Sequence, residues 1–542
     1  MLPKQWRTLG QFLWLFCICL ILVISCSRPA PGPTSIPSAG GSDRLSVGTT
    51  ETPRTLDPAD GYEEPVSNII TSMGDRLYTY KESTLELEPQ LATELPKVSE
   101  DGLTYTIPVR KGVTFHDGTP FNAEAMAFSL KRFSENGGKP SALLSDIMES
   151  VAATGEYEIT IKLKNAFAPF PSLLAFSGMC AVSPKAYEIG SGKFKPNEFV
   201  GTGPYKLTSF SPNLVKMDVF AQYWGKKPAN QGIDFQFLSS AANLYNSFTT
   251  GAVDVAYQTL DADQIISLQQ KAAANGWQVV EKPGSAISYL VLNVKQKPLD
   301  QLKVRQALAA LVDRPLITER VYKNQVVPVY SIVPTSFDAH KPTFKEPYGD
   351  GNIEKVKELL GSAGFSQDKP FELEIYYASN SSEREQTVST LREYAAQKLN
   401  GIIQIKAQPV ESTTLFANIS KGLYQSYLVS WLPDFADPDN YIQPFFNCTK
   451  GSVATGCEQG ASQTQGFFYY SLRMNQLIQE ERTEQDPAAR TKVFAEIQDL
   501  LAADVPLVPL WQKKQYAFAQ KPVQNVTINP VLGPAFWNFS KT

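Results

Sequence analysis

The stretch that most constrains this chain runs from Trp431 to Tyr441 and reads Trp-Leu-Pro-Asp-Phe-Ala-Asp-Pro-Asp-Asn-Tyr. It holds three carboxylates, two prolines and three aromatic rings within eleven residues. Proline fixes φ, removes a backbone donor and restricts the residue before it, so neither a helix nor a central strand can continue through this stretch. The preceding run Tyr427-Leu428-Val429-Ser430 therefore predicts a buried strand that ends in a rigid acidic turn.

A rigid turn with aromatic walls can hold a carboxylate still against a cation. We therefore hypothesise that Asp434 binds the ammonium group of a ligand. The alternative is that the acids of this stretch only form the turn and cap its end, because Asp is a frequent turn residue. The stretch by itself leaves both interpretations open.

The N-terminus has the pattern of an export signal. Lys4 and Arg7 precede an apolar run from Phe12 to Ile24, which suits a signal peptide and is short for a membrane span. The run ends in Ile-Ser-Cys, which resembles the lipobox of bacterial lipoproteins. The resemblance implies cleavage before Cys26 and a diacylated N-terminus that anchors the protein outside the cytoplasmic membrane. A plain signal peptide with an incidental cysteine is the alternative.

Length and charge limit the architecture and the partners. A chain of 542 residues is too long for one core and predicts two to four lobes. The formal net charge is −4, and 11% of the residues are aromatic. A mildly acidic, aromatic-rich surface argues against nucleic acid as a partner.

Cysteine and histidine are scarce in the body of the chain. Cys448 and Cys457 flank an eight-residue loop and are expected to form a disulfide in an oxidising compartment. A metal pair is the alternative, but no histidine or third cysteine lies near them, and Cys180 is expected to be a buried thiol. His116 invites a catalytic interpretation, although the turn residues around it explain the same sequence, and His340 is the only other histidine.

Strand and helix patterns alternate along the body, which predicts an α/β fold. One apolar face over residues 66–80 predicts a helix, and Asn122 is expected to cap another. Asp300 is expected to cap the helix that follows a strong apolar strand. The proline-containing run 505–511 predicts an edge or irregular strand.

Short motifs occur in a fixed order along the body of the chain. They are Leu56-Asp57-Pro58, Asp101-Gly102-Leu103-Thr104-Tyr105, Arg110 to Phe121, Gly201-Thr202-Gly203-Pro204-Tyr205, Leu292-Asn293, Val304-Arg305-Gln306-Ala307-Leu308, Asp313-Arg314 and Trp431 to Asn440. Together they closely resemble the oligopeptide/dipeptide/nickel family of ABC-transporter extracellular solute-binding proteins. The resemblance covers residues from about 44 to about 540 and rests on the whole ordered set, since each motif alone is weak.

The resemblance implies a periplasmic-binding-protein-like fold, in which two hinged α/β lobes close on a ligand and a third lobe is inserted into the first. The hinge is expected near 284–288 and 510–513. The implied divisions are a signal peptide (1–25), a lipidated cysteine with a flexible Pro/Gly/Ser-rich linker (26–43), lobe I (44–80, 199–284 and 512–542), inserted lobe II (81–198) and lobe III (285–511).

The resemblance also implies binding residues. In peptide-binding members the acid three residues after this tryptophan holds the peptide's α-ammonium group, which assigns that role to Asp434. Arg384 falls where dipeptide binders carry an arginine for the peptide carboxylate, and a solvated helix face is its alternative. Trp431 and Phe435 are expected to be either cleft walls or core residues. Asp437 and Asp439 are expected to shape the turn.

A protein of this family captures its ligand and passes it to an ABC permease, so we expect a monomeric binding protein with no catalytic activity and no cofactor. A short peptide is the expected ligand. The same fold could instead bind an oligosaccharide, an opine-like compound or a metal chelate, but direct nickel ligation is not expected without a histidine near the presumed cleft. An exported hydrolase is a remote alternative, because the sequence has no Gly-x-Ser-x-Gly or His-Glu-x-x-His motif.

Overall fold

The computed structural model describes residues 43–82 and 84–542. The predictions for the signal peptide, for lipidation of Cys26 and for nearly all of the linker lie outside these residues. In chain order the strands are β1 (Leu45–Thr49), β2 (Tyr78–Tyr80), β3 (Leu87–Pro89), β4 (Lys97–Val98), β5 (Thr104–Pro108), β6 (Met148–Gly155), β7 (Glu158–Leu163), β8 (Tyr205–Ser211), β9 (Leu214–Val219), β10 (Gly232–Phe237), β11 (Val255–Tyr257), β12 (Gln278–Leu292), β13 (Val326–Pro328), β14 (Phe371–Ala378), β15 (Ile403–Val410), β16 (Ser426–Trp431), β17 (Lys450–Ser452), β18 (Gly456–Gln459), β19 (Leu507–Ala519), β20 (Val523–Gln524), β21 (Ile528–Asn529), β22 (Gly533–Pro534) and β23 (Ser540–Lys541).

Helices alternate with these strands, as the α/β prediction requires. The α-helices are α1 (Glu64–Met73), α2 (Ala123–Glu135), α3 (Ala142–Ser145), α4 (Phe170–Leu173), α5 (Ala241–Thr249), α6 (Ala262–Asn275), α7 (Leu302–Leu311), α8 (Arg314–Arg320), α9 (Lys345–Tyr348), α10 (Ile353–Ser362), α11 (Ser382–Leu399), α12 (Ser412–Ile419), α13 (Gln443–Phe446), α14 (Ala461–Thr464), α15 (Leu472–Thr483) and α16 (Pro487–Asp504). Short 3₁₀ helices lie at Ser177–Met179, Pro438–Tyr441 and Phe536–Asn538.

One sheet of eleven strands forms the centre of the molecule, in the order β15-β14-β16-β12-β19-β11-β1-β10-β9-β8, with β13 also paired to β19. On one side β1 runs parallel to β10 and β11, and on the other β14 runs parallel to β15 and β16. The long antiparallel pair β12–β19 joins the two sides. The sheet therefore has two sides, each with its own parallel strands, and the central strands β12 and β19 connect them.

The ladder between β12 and β19 is interrupted twice, which corrects one prediction. The run 505–511 was expected at an edge, but β19 lies between β12 and β11, so the edge assignment is wrong. The irregular part of that prediction is confirmed, because the register shifts where Ser288 faces Trp511 and Tyr289 faces Pro509. A bulge of this kind lets a central strand accommodate a proline.

A second, four-stranded sheet has the order β4-β5-β7-β6 and is antiparallel throughout. Helix α2 packs against this sheet, and the buried residues between them form its core. All of these elements fall within the predicted inserted lobe at 81–198. The lobe boundaries themselves remain predictions.

Helix ends follow local chemistry, and two of the predicted ends are wrong. Asn122 caps α2 as expected, with its side chain accepting from the Ala125 N–H at 2.9 Å. Helix α1 ends at Met73 instead of near residue 80, and the chain continues into strand β2. Asp300 does not cap α7, because Gln301 is the first flanking residue and makes no side-chain cap.

Candidate functional site

A cavity of about 390 Å³ lies beside the central strands. Its walls combine segments that are far apart in sequence. They are the loop after β1 and the start of α1, residues 258–265, residues 284–288 in β12, residues 321–326, the start of α11, the end of β16 and residues 510–516 of β19.

The end of β16 brings a free strand edge to this cavity. All six residues of β16 pair with β12 on one side, but β14 pairs only with Ser426 and Tyr427 on the other. Within the described chain, the second edge of the segment from Leu428 to Trp431 therefore has no partner strand. Leu428, Val429 and Ser430 line the cavity. An extended chain in the cavity could add to this edge as a further strand.

Arg384 stands in the first turn of α11 and lines the cavity. Ser381 caps the helix by accepting from the Arg384 N–H at 3.4 Å. Burial lowers the pKa of Arg384, while Tyr322 and the neighbouring Glu383 raise it. The guanidinium group is thus a partly desolvated cation at the cavity wall, which suits binding of an anionic group.

Two acids, Glu51 and Glu64, stand elsewhere on the cavity wall. Burial raises the pKa of both carboxyl groups, and the charge of Glu64 adds to the effect on Glu51. The Gln258 amide donates to Glu64 and to the Tyr257 hydroxyl.

Gln258 and Thr259 are both left-handed, with φ of 53° and 59°. That conformation costs a non-glycine residue roughly 1–3 kcal/mol and tends to be retained at functional sites. Both residues line the cavity, and this backbone conformation accompanies the hydrogen bond that the Gln258 amide donates to Glu64.

Asp434 is the predicted ammonium partner. It lies near the cavity but is not among the described residues that line it. Its Oδ1 accepts from the Tyr62 hydroxyl at 2.5 Å, and its own N–H donates to Asn440 at 2.8 Å. Burial raises the pKa of Asp434, while the Tyr62 and Asn440 hydrogen bonds lower it. The side chain is half-buried, and its neighbour Leu432 lines the cavity.

A buried ionic network fixes the turn that carries Asp434. Asp437 accepts from the Asp439 N–H at 2.8 Å and receives two hydrogen bonds of 2.6 Å from Arg490. Arg490 also donates to Glu481 at 2.8 Å, and Arg482 lies 3.3 Å from Asp439. The prediction that Asp437 and Asp439 shape the turn is therefore confirmed.

The two predicted aromatic wall residues lie outside the cavity wall. Phe435 is only 4% exposed, and its ring packs edge-on against Phe167 with the centroids 6.2 Å apart. Trp431 is half-buried and packs in the same manner on Phe445 at 5.0 Å. These contacts favour the core-packing alternative for both residues.

Cys448, Cys457, Cys180 and His116 have contacts that fit structural roles. A disulfide joins Cys448 and Cys457, and Cys180 is a buried thiol. Burial lowers the pKa of His116 to about 4. Its Nδ1 accepts from the Gly201 N–H at 3.3 Å and its Nε2 contacts the Gly203 carbonyl at 3.0 Å, so this neutral ring connects two loops.

Sequence reasoning missed Glu51, Glu64, Tyr62 and the left-handed pair that includes Gln258. Glu51 could have been found, because it follows strand β1, and ligands of parallel α/β sheets bind at the carboxyl ends of strands. Tyr62 and Gln258 could not, since their partners Asp434 and Glu64 are 372 and 194 residues away in the chain.

No helix within residues 43–82 and 84–542 is long and apolar enough to cross a membrane. A family model described as "Bacterial extracellular solute-binding proteins, family 5 Middle" matches residues 86–453.

Two relatives come from Escherichia coli K12. The probable D,D-dipeptide-binding periplasmic protein DdpA is 25% identical over 503 residues, covering 91% of this chain and 93% of the relative. The dipeptide-binding protein is 26% identical over 495 residues, covering 86% and 88%. A solved structure, the dipeptide binding protein from Pseudoalteromonas sp. SM9913 in complex with Met-Leu, superposes with a TM-score of 0.72 at 23% identity, covering 92% of this chain and 100% of that one.

Proposed function

The chain belongs to family 5 of the bacterial extracellular solute-binding proteins, and from this premise we propose that it captures short peptides in the cavity beside β16 and delivers them to an ABC permease. Relatives that cover about nine-tenths of the chain are named as binding proteins for dipeptides, which supports a peptide ligand and a role in binding without catalysis.

The free edge of β16 is the observation that carries the proposal. An extended peptide can pair its main chain with such an edge, and those hydrogen bonds do not depend on the peptide's side chains. Residues 428–430 bring this edge into the cavity. Sugars and metal chelates have no repeating amide backbone to pair there, so the edge favours a peptide over the alternative ligands.

Two charged groups, one shortly after β16 in the chain and one in the cavity wall, suit the two termini of a peptide. Asp434, shortly after β16, is proposed to hold the α-ammonium group, with Tyr62 orienting its Oδ1. Arg384 is proposed to hold the carboxylate, because it is a partly desolvated cation in the cavity wall. Charge-assisted hydrogen bonds at both ends would select for free, short peptides.

Calorimetry with a tripeptide and its end-blocked forms tests these roles. We expect Asp434→Asn to weaken binding of the free tripeptide by roughly 2–5 kcal/mol, the usual effect of truncating one partner of a buried charge pair. The same variant should leave the N-acetylated peptide unaffected, since that peptide has no ammonium group. Arg384→Gln should behave in the same way toward the C-terminal amide.

Arg392→Gln provides the matched control, because Arg392 is an exposed arginine on the same helix. It should bind every peptide as the unmodified protein does. Unchanged affinity of the free tripeptide in Asp434→Asn would remove the ammonium role. Failure of the unmodified protein to bind any tripeptide would refute the proposed function.

We also propose that Cys26 carries the lipid anchor predicted from the lipobox. Several acyl chains hold a protein on a membrane where a single chain does not. The exported protein should then partition into detergent and have a mass that reflects cleavage before Cys26 plus the acyl groups. Cys26→Ser should release it as a water-soluble form, and an unmodified Cys26 in the exported protein would contradict the anchor.

The break in the β12–β19 ladder supports the proposed hinge. Pairing is lost between Pro283 and Ile287, and this gap coincides with the first predicted crossing at 284–288. Gly284 and Ser285 line the cavity, so a rotation at this point would open or close it. Small-angle scattering should record a smaller radius of gyration when a peptide is added, and an unchanged radius would refute closure.

A further inference from the structure

Two acids in the cavity wall have no role at either terminus of a bound peptide. Glu51 follows β1 and Glu64 opens α1, and both face the same cavity. Among the described residues, Glu64 accepts a side-chain hydrogen bond from the neutral amide of Gln258, which leaves its charge uncompensated by that contact. Burial raises the pKa of both carboxyl groups, and the charge of Glu64 raises that of Glu51 further, as is usual for buried carboxylates without a paired cation.

The lysines nearby do not neutralise this pair. The charge of Lys513 lowers the pKa of both carboxyl groups. Its side chain, however, is exposed to solvent and makes no ion pair with either one in the described part of the chain. Lys514 is engaged with Glu281 at 2.7 Å. Two carboxylates and one solvated lysine leave this part of the wall negative.

Buried polar groups without partners lie in the same wall. The indole Nε1 of Trp511, a residue only 2% exposed, has no hydrogen-bond partner within residues 43–82 and 84–542. The same holds for the buried Oε1 of Gln515, and both residues line the cavity. Folded proteins leave few buried polar atoms unsatisfied, so these two atoms are available to a polar ligand or to water in the cavity.

We propose that Glu51 and Glu64 form a cation subsite that takes a basic side chain of the bound peptide. The subsite is separate from Asp434, which lies outside the cavity wall and is proposed to hold the peptide's ammonium group. The inference rests on the proposed function and deepens it to peptides that contain lysine or arginine. An organic cation fits better than a metal ion, because the described residues contain no cluster of three or more metal-ligating side chains.

Matched tripeptides test the subsite by calorimetry. Lysine at each position in turn is compared with norleucine, which has similar length and no charge. At one position we expect lysine to improve affinity about tenfold or more, the least effect anticipated for a close, partly desolvated charge pair. In the variant that combines Glu51→Gln and Glu64→Gln, this ratio should fall to near one while norleucine peptides bind as before.

Glu358→Gln, an exposed acid on α10, is the control and should retain the full lysine preference. The comparison of lysine with norleucine in the unmodified protein needs no variant and therefore does not depend on folding of the double variant. Equal affinity at all three positions would overturn the subsite while leaving the proposed function intact. Absence of binding to every peptide would overturn both.

Discussion

Replacing Asp437 by asparagine and Glu481 by glutamine tests how charge is distributed in the buried network behind the Trp431–Tyr441 turn. The side chains of Arg490, Asp437 and Glu481 are 14%, 8% and 0% exposed. Burial and the nearby Asp439 raise the pKa of Glu481 well above its ordinary value. We therefore predict that Glu481 keeps its proton at pH 7 and that Arg490 pairs with the single charge of Asp437.

The hydrogen bonds agree with this assignment. Glu481 Oε1 has no hydrogen-bond partner among the described residues, and Oε2 accepts a single hydrogen bond, from Arg490 at 2.8 Å. Asp437→Asn should cost roughly 3–5 kcal/mol, because it leaves Arg490 buried without its counter-charge. Glu481→Gln replaces a neutral acid by a neutral amide and should cost at most about 1 kcal/mol at pH 7, the net value of one hydrogen bond.

Calorimetric unfolding of the two variants at pH 5 and pH 7 is the assay. A raised pKa means that the folded protein holds a proton that the unfolded chain loses above its ordinary value of 4.5, so Glu481 contributes stability at low pH that declines as pH rises. The Glu481→Gln variant lacks this titration, and its cost should be larger at pH 5 than at pH 7. Equal destabilisation by Glu481→Gln and Asp437→Asn at pH 7 would refute the assignment.

Two further stability predictions concern groups outside the cavity. Burial lowers the pKa of His116 from its ordinary value of 6.5 to about 4. Between these two pH values the unfolded chain binds a proton at this residue and the folded protein does not. About 3 kcal/mol of stability should therefore be lost as pH falls from 6.5 to 4. Denaturant titrations should record this slope in the unmodified protein and in His340→Asn, and its persistence in His116→Asn would contradict the assignment. Arg132 donates to both oxygens of Asp57 at 2.8 and 2.6 Å, with side chains 1% and 0% exposed, so Arg132→Met should cost roughly 3–5 kcal/mol. Adding Asp57→Asn should recover part of that loss in urea unfolding, and no recovery would mean that lost packing, not an unpaired charge, causes it.

Local chemistry made several features predictable from the sequence. The Asp-Pro step of the Trp431–Tyr441 stretch led to a turn closed by Asp437, and the structure has that cap. The helix cap at Asn122 was predictable because asparagine is preferred at the position before a helix. Such predictions succeed because the contacts involved span only two or three residues of chain.

Contacts across the fold were not predictable. Arg490 lies 53 residues from Asp437, so the ionic network behind the turn has no local sequence signal. The prolines near the start of β19 argued for an edge strand, and only the bulge opposite Ser288 shows how the centre of the sheet accommodates Pro509. The cavity likewise depends on long-range placement, since it combines segments from residue 51 to residue 516.

Native mass spectrometry of the protein, purified from its own host and then mixed with a tripeptide library, tests the central claim most directly. The account predicts adducts whose masses equal those of short peptides, and their loss when the library peptides carry blocks at both ends. The claim that this cavity binds peptides would be contradicted if no peptide adduct formed even with the library in excess. It would also be contradicted if the adducts had the mass of a metal chelate or rose in steps of a sugar mass.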